Sequence, residues 1–349
     1  MGNANDGRDL ARDTHSRTSA AHIALRVALG CGALYALYRE CEALETARVW
    51  RSLQAVPSSR LMLAVAAAAG SFAALALIEL LAVHVACASF CRVRRRLVVG
   101  TSFIANAFGQ SIGLALLTGA AVRTRAYSRA GLDSLAVGRM TAFVTITSTL
   151  GLLTTSAIAL LASAWLGIAR PYAAATIPVG ALLGVLVLIY VMWSIVGKKA
   201  ELGIRRWTLP RPPVRVVFAQ LALALLDWTL AGLVLYAFMP ASSGFGLGQV
   251  LGAFAMAQIV AVTSHVPAGA GIFELGVMKL LTHGGSADAG VVAALVLFRL
   301  TYYVLPLTIA IVVASASEMR RRSAARITAS RVRVVPTPAD DRIEVAHAR

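Results

Sequence analysis

The chain alternates between long apolar segments and short polar or basic loops. Several of these segments exceed the roughly 18 residues that a helix needs to cross a bilayer. They lie near residues 21–38, 61–90, 97–121, 138–166, 172–196, 215–239, 247–263, 267–283 and 289–316. The pattern predicts an all-α polytopic membrane protein with about six to eight transmembrane helices, in which two elements are re-entrant or broken.

Composition and charge agree with that class. Of the 349 residues, 58% are hydrophobic and 14% are charged, whereas a soluble domain carries about 25% charged residues. The formal net charge is +17. Its arginines lie in short loops and tails, where they set topology and contact anionic headgroups. Because no nucleic-acid-binding motif accompanies this charge, we expect membrane phospholipids, and no nucleic acid, as partners.

Clusters of basic residues predict which loops are cytoplasmic, because Lys and Arg favour that side. An even number of crossings must then separate any two clusters. This rule predicts that 97–121 dips into the membrane and returns, and that 247–263 and 267–283 form a hairpin broken at Pro267. Eight full crossings would also leave both termini inside, but they put at least one basic loop outside. The clusters lie in the N-terminal tail, at 92–96, at 198–215 and at 320–333.

The same patterns predict three regions. Residues 1–20 form a cytoplasmic N-terminal tail, and residues 21–316 form the transmembrane domain, whose two halves divide near 197–215. Residues 317–349 are basic and then polar, which predicts a disordered cytoplasmic tail. Both termini are therefore expected in the cytoplasm.

The second broken element contains the most informative stretch, SHVPAGAGIFELG at 264–276. A bilayer cannot hydrogen-bond loose backbone, so a broken helix at membrane depth occurs only inside protein or against a water-filled cavity. Such breaks point to the binding sites of transporters. This reasoning predicts that Pro267, Gly269 and Gly271 belong to a substrate-binding site.

Four stretches occur in the same order as in a known family. They are LTGAAVRTRAY at 117–127, Asp227-Trp228 inside a span, SHVPAGAGIFE at 264–274 and FRLTYYVLP at 298–306. Together they resemble the transmembrane region of bacterial lysylphosphatidylglycerol synthases, the multiple peptide resistance factors. The resemblance covers roughly residues 60–316 and implies a multi-pass protein of the bacterial inner membrane that moves lipids between leaflets.

Two departures from that family change the expectation. Full-length members carry a soluble aminoacyl-transferase domain, whereas about thirty polar residues follow Ser317 here. The resemblance therefore implies a stand-alone member without aminoacyl-transfer activity, with a separately encoded lipid aminoacyl-transferase as a candidate partner. Ala268 occupies a position where the family suggests Gly, which reduces the backbone freedom of the turn.

Three arginines are candidate phosphate ligands. Arg123 and Arg125 follow the first broken element, where alternating positions on an extended turn would aim both at one phosphate. Ordinary positive-inside anchoring is the other interpretation. Arg299 lies inside a span, and its planar fork suits a phosphodiester. Structural pairing of Arg299 with Asp227 or Glu274 is the alternative.

Three carboxylates lie within apolar segments. A carboxylate at the bilayer centre costs about 2.5–3.5 kcal/mol, so Asp227 should face protein or water as a headgroup site, a proton site or a structural polar contact. Glu274 either balances a cationic headgroup or is a first-turn residue stabilised by the helix dipole. Glu79 either lines a cavity or packs between helices. Asp227, Glu79 and the neighbouring titratable His265 are candidates for proton coupling, although a lone histidine usually just makes hydrogen bonds.

Amide and aromatic side chains complete the candidates. Asn106 and Gln110 lie one helical turn apart, where they either bind headgroup hydroxyls or satisfy broken backbone. Tyr302 belongs to the fourth stretch and is a candidate for substrate binding. Its place near a segment end also fits an interfacial aromatic belt.

The favoured function is translocation of an anionic or aminoacylated phospholipid across the inner membrane, without enzymatic activity, cofactor or metal. No Walker A loop is present, so movement is expected to be downhill or ion-coupled. One alternative is a non-transporting lipid-binding scaffold or regulator of a lipid synthase. Another is an intramembrane lipid-modifying enzyme, which the buried carboxylates permit, although the sequence contains no evident nucleophile–base pair.

Overall fold

A computed structural model of the chain describes residue 35 and residues 46–86, 93–112, 115–165, 173–197, 201–204, 207–264, 266–282 and 288–332. These residues form α1 (Thr46–Gln54), α2 (Ser58–Ala86), α3 (Arg95–Ile112), α4 (Ala115–Ser128), α5 (Ser134–Trp165), α6 (Ala173–Val196), β1 (Glu201–Ile204), β2 (Trp207–Pro210), α7 (Val214–Phe238), α8 (Leu247–Ser264), α9 (Ile272–Leu281), α10 (Ala289–Arg299) and α11 (Leu305–Val332). A π turn, Leu300–Val304, joins α10 to α11, and a 3-10 turn, Pro267–Gly269, lies between α8 and α9.

The predicted class, an all-α polytopic membrane protein, is confirmed. In the described part of the chain, six helical stretches are long and apolar enough to cross a membrane. The apolar segment 21–38 lies outside the described residues except for residue 35. The stretches are Ser58–Ala86, Ser134–Ala162, Thr176–Val196, Val214–Phe238, Leu247–Ser264 and Ala289–Met319.

Both predicted interruptions are present. The segment predicted at 97–121 is divided between α3 and α4, which pack against each other. The second interruption separates α8 from α9, and these helices also pack together. At 1.5 Å per residue, α4 is about 21 Å long and α9 about 15 Å, shorter than the roughly 30 Å of bilayer hydrocarbon. The side from which each element enters the membrane stays a prediction.

The helices pack across the linker that was predicted to divide the chain. The first-half helix α2 lies along α7 of the second half, and α5 contacts α6, α7 and α8. At the centre, the ring of Phe254 lies edge to face against Phe273 and Phe298, with centroids 5.7 and 5.9 Å apart, and Phe273 stacks on Phe298 at 5.4 Å. Such aromatic pairs contribute about 0.5–1.5 kcal/mol each beyond their buried area. This aromatic core borders the interruption between α8 and α9.

The linker and the C-terminal region differ in detail from the sequence prediction. Strands β1 and β2 pair antiparallel, with Glu201 opposite Pro210, so the linker contains a small hairpin. The described residues as far as Leu307 form one compact unit, and the described residues from Thr308 onward form a second. Because α11 continues to Val332, the prediction of disorder is wrong for residues 317–332. Residues 333–349 lie outside the described residues.

Candidate functional site

The interruption between α8 and α9 is built from left-handed backbone. Ala268, Gly269 and Gly271 have φ values of 54°, 61° and 80°. Glycine adopts this region without penalty, whereas a residue with a Cβ is held there at a cost of about 1–2 kcal/mol. Ala268 therefore has the restricted freedom that the sequence predicted, and the fold keeps it in a strained conformation.

Small residues let α9 return closely against α8. A Cβ on Gly269 would lie 2.7 Å from the Cβ of Ala261, and one on Gly276 would lie 2.9 Å from the Cβ of Ala257. Both distances are too short for carbon atoms, so glycine is required at these two positions. The closely packed hairpin fixes the turn at the edge of the aromatic core.

Glu274 holds the start of α9. Its Oε2 accepts a hydrogen bond from the backbone N–H of Gly271 at 2.8 Å, which satisfies one of the unpaired donors at a helix N-terminus. The interpretation of Glu274 as a first-turn residue is confirmed. Its second oxygen, Oε1, lies 2.5 Å from Nε of Arg299, so one carboxylate joins the helix start to the end of α10.

Arg299 makes two of the hydrogen bonds that its guanidinium allows. Nε donates to Glu274, and Nη1 donates to the carbonyl of Ala268 at 2.7 Å. Nη2 is buried and has no hydrogen-bond partner among the described residues. The guanidinium carbon also lies 4.5 Å from the ring centroid of Tyr303 and 5.4 Å from that of Phe273, within cation–π range. Of the two carboxylates proposed as partners, Arg299 pairs with Glu274 and not with Asp227.

The π turn after Arg299 follows from Pro306. Proline has no N–H, so the Tyr302 carbonyl cannot receive the usual α-helical bond from residue 306. The chain widens instead, and the N–H of Leu305 donates to the carbonyl of Leu300, five residues back. π turns of this kind often occur at functional sites. This one directs Tyr302 inward, stacked on Phe298 at 5.5 Å. Tyr302 is buried, so its interpretation as part of an interfacial belt is wrong.

Asp227 lies in a chain of hydrogen bonds between helices. The Ser71 hydroxyl donates to Asp227 Oδ1 at 2.5 Å and lies 2.7 Å from the hydroxyl oxygen of Tyr302. A further side-chain hydrogen bond joins Tyr302 to Gln110. All of Asp227, Ser71 and Tyr302 are buried. The arrangement confirms that Asp227 faces protein and makes a polar contact between α2 and α7.

A second Arg–Glu pair lies between α2 and α4. Arg123 donates from Nε and Nη2 to both oxygens of Glu79 at 2.7 to 3.0 Å. The hydroxyl of Tyr127 donates to the same carboxylate at 3.0 Å. Glu79 is fully buried, and the Arg123 side chain is 5% exposed. The pair matches the interpretation of Glu79 as a contact between helices.

The predicted convergence of Arg123 and Arg125 on one phosphate is wrong. Both residues lie in the helix α4 rather than on an extended turn. Neighbours two apart in a helix point about 200° from each other, and Arg125 is exposed while Arg123 is buried.

The two amides predicted on one helical face have different surroundings. The amide of Asn106 donates to the carbonyl of Ser102 at 2.9 Å, so Asn106 bonds to its own helix. Gln110 reaches Tyr302, while its buried Oε1 has no hydrogen-bond partner in the part of the chain that the structure describes. Helix α3 also contacts the 267–269 turn and the π turn. The two interrupted elements therefore meet.

Sequence reasoning missed Ser71, because a single serine in an alanine-rich helix carries no signal of its partners. Tyr303, whose ring lies under the guanidinium of Arg299, was not among the predicted site residues. His265 falls outside the described residues. Those residues contain no group of three or more His, Cys, Asp or Glu side chains that is arranged to hold a metal ion.

The fold and these sites define a helical, multi-span membrane protein with buried ion pairs beside broken helices. No family model matches the chain. It is 32% identical over 211 residues to the uncharacterized protein slr0712 of Synechocystis, a match that covers 59% of this chain and 64% of that relative. The match thus spans just under two thirds of the relative.

Two further relatives carry more descriptive names. The chain is 25% identical over 231 residues to the inner membrane protein YbhN of Escherichia coli, covering 63% of this chain and 69% of YbhN. It is 32% identical over 91 residues to the phosphatidylglycerol lysyltransferase of Staphylococcus epidermidis, covering 26% of this chain and 11% of that protein. The chain is thus a membrane protein related to an inner membrane protein, with a partial similarity to a lipid-modifying synthase.

Proposed function

We propose that this protein moves phospholipids between the leaflets of a bacterial inner membrane and binds the anionic headgroup at Arg299. The observation that carries the proposal is an incompletely hydrogen-bonded guanidinium group on Arg299. Nε and Nη1 have protein acceptors, while Nη2 has none among the described residues. A buried donor without a partner costs about 1–3 kcal/mol, and a phosphate oxygen would satisfy it.

The environment of Arg299 suits a ligand that must enter and leave. Its side chain is 20% exposed and that of Glu274 is 12% exposed. The acceptor of Nη1 is a backbone carbonyl in the left-handed turn, so a phosphate oxygen can replace a neutral acceptor without separating the two charges. Glu274 keeps Nε oriented while this exchange takes place.

The bound lipid would extend its acyl chains into the bilayer. On α8, next to the turn, Val260 and Val262 are exposed, and these apolar side chains suit contact with lipid. Only the headgroup then needs the polar site, while the chains stay in hydrocarbon. Such an arrangement agrees with broken helices that line a path for polar groups.

The comparisons support the substrate class and the membrane. One relative is named as an inner membrane protein, and another is named for its action on phosphatidylglycerol, an anionic phospholipid. We extend both properties to this chain as part of the proposal, together with cytoplasmic termini and the absence of enzymatic activity.

Reconstituted vesicles test the proposal. Fluorescent phosphatidylglycerol is placed in both leaflets, and a membrane-impermeant quencher reports the fraction that becomes accessible from outside. We expect the protein to expose nearly all of the label, Arg299→Gln to abolish this movement, and Arg299→Lys to retain part of it because the charge stays while the fork is lost. Arg215→Gln, at an exposed position in the first turn of α7, is the matched control and should behave as wild type.

The same vesicles separate the alternatives. A lipid-binding scaffold would retain the label without moving it, and an enzyme would convert it into a product that lipid chromatography detects. Unchanged movement in Arg299→Gln would exclude Arg299 as the headgroup site.

A further inference from the structure

A buried hydrogen-bond chain runs from Asp227 on α7 to Gln110 on α3. Its links are the Asp227–Ser71 bond at 2.5 Å, the Ser71–Tyr302 bond at 2.7 Å and the bond between Tyr302 and Gln110. Two of its members are hydroxyls, which can donate in either direction. The chain therefore has two orientations, and the charge of the carboxyl group selects between them.

With an ionised Asp227, every donor points toward the carboxylate. Ser71 donates to Asp227, Tyr302 donates to Ser71, and the amide N–H of Gln110 donates to Tyr302. In this orientation the carbonyl oxygen of Gln110 is not used within the chain. That agrees with the structure, where the buried Oε1 of Gln110 has no partner in the described ranges.

One proton added to Asp227 reverses the donor and acceptor in each hydrogen bond of this chain. The carboxyl O–H of Asp227 then donates to Ser71, Ser71 donates to Tyr302, and Tyr302 donates to Oε1 of Gln110 after the amide turns over. The reversal satisfies the oxygen that was left without a partner. A proton that binds at one end thus rotates a side chain at the other end.

The far end of the chain lies where the interrupted elements meet. Helix α3, which carries Gln110, contacts both the 267–269 turn and the π turn. Tyr303, next to Tyr302 in that π turn, lies under the guanidinium of Arg299. The proton site and the proposed headgroup site are therefore connected through adjoining residues.

No other ionisable group replaces Asp227 as the proton-binding member of this hydrogen-bond chain. Helix α8, which also packs on α7, has no charged residue. Glu79 is already paired with Arg123, and Arg299 with Glu274. The ionisable side chains on the remaining elements packed against α7 are Arg60, Glu79 and His84 on α2, Arg139 on α5, Tyr190 on α6, Arg299 on α10, and Tyr302 and Tyr303 in the π turn.

From this geometry we infer that Asp227 is the proton-binding site of a proton-coupled lipid transporter, with Ser71 and Tyr302 as the residues that transmit its charge state. The inference rests on the proposed function. The proton enters Asp227 from water on one side of the membrane and returns to water on the other side. Because an anionic lipid and a proton together are neutral, a pH gradient should drive the transport and a membrane potential should not.

Vesicles with a pH gradient and labelled phosphatidylglycerol provide the test. If one proton accompanies each lipid, a gradient of one pH unit, about 1.4 kcal/mol, should give about tenfold accumulation of label in one leaflet. Asp227→Asn, Ser71→Ala and Tyr302→Phe should lose this accumulation, and Ser71→Ala should still equilibrate the label. Thr147→Val removes a different buried hydroxyl that faces α7, bonded to Gln220 at 2.7 Å, and should keep full accumulation.

The possible results distinguish a failure of proton coupling at Asp227 from a failure of the proposed lipid movement. Accumulation that persists in folded Asp227→Asn, or wild-type equilibration that ignores the gradient, overturns proton coupling but leaves the proposed function intact. Absence of any lipid movement in wild type refutes the proposed function instead. In that case infrared titration decides about the proton site: a pH-dependent carboxylic acid band that Asp227→Asn removes and Ser71→Ala shifts supports it, and no such band overturns it.

Discussion

The protein contains two buried Arg–Glu pairs with different surroundings. The side chains of Arg123 and Glu79 are 5% and 0% exposed, and the carboxylate accepts hydrogen bonds from Nε and Nη2 of the guanidinium and from a tyrosine hydroxyl. Arg299 and Glu274 are 20% and 12% exposed, and one guanidinium nitrogen has no acceptor in the described part of the chain. Among the described residues, no buried side-chain nitrogen or oxygen of the first pair lacks a hydrogen-bond partner, whereas Nη2 of Arg299 in the second pair does and could bind a ligand. We therefore interpret the first pair as structural and the second as the binding site.

The largest expected effect is on stability at the first pair. Arg123→Gln leaves the buried Glu79 without its counter-charge, which should lower the free energy of unfolding by about 3–5 kcal/mol. Denaturation in mixed detergent micelles would measure this loss. Arg125→Gln, at an exposed position on the same helix, is the control, and an equally small change in both variants would contradict the structural role.

Loss of the second pair, Arg299 and Glu274, should affect lipid movement more than stability. Arg299→Gln should lower the free energy of unfolding by only about 1–2 kcal/mol, because the pair is partly exposed and Glu274 keeps its bond to Gly271. The same variant should lose movement of phosphatidylglycerol in vesicles. A loss of stability as large as that of Arg123→Gln, with lipid movement retained, would reverse the assignment of the two pairs.

A smaller effect is expected from the hydroxyl that completes the first pair. Tyr127→Phe removes one hydrogen bond to Glu79 but leaves the ion pair, so a loss of about 1 kcal/mol is expected. Thermal unfolding in detergent would detect it, and lipid movement should stay at the wild-type rate. A strong loss of movement would mean that this pair also takes part in transport.

The smallest expected change in stability comes from a substitution in the 267–269 turn. Ala268→Gly relieves a left-handed conformation but increases the freedom of the unfolded chain, so the net gain in stability should stay below about 1 kcal/mol. Thermal unfolding is again the measurement. A clear destabilisation would show that the Cβ of Ala268 makes a favourable contact that outweighs the strain.

Local features of the fold could be predicted from the sequence. Hydropathy gives the spans directly, since each span must satisfy its own backbone hydrogen bonds, and Pro267 with the following glycines marks the second interruption. The pairing of Arg299 with Glu274 was one of two alternatives. Local sequence alone could not choose between them, because the choice depends on how α9 and α10 lie against each other.

The features that the sequence did not predict depend on long-range contacts and on where helices begin and end. Glu79 and Arg123 are 44 positions apart, and the register of α2 against α4 is set by tertiary contacts. The turn interpretation of residues 123–125 failed because α4 continues through them as a helix. The disorder predicted from residue 317 rested on charge, although Ala and Arg are strong helix formers and α11 continues to Val332.

The most direct test of the central claim compares the two guanidinium groups in one sample. Nitrogen-15 NMR of arginine-labelled protein in lipid nanodiscs can follow Arg299 and Arg123 while phosphatidylglycerol replaces a neutral lipid, with Arg299→Lys to assign the first signal. We predict that the Arg299 resonances shift with phosphatidylglycerol content and that those of Arg123 stay constant. A shift of Arg123 alone, or no shift of Arg299, would contradict the account.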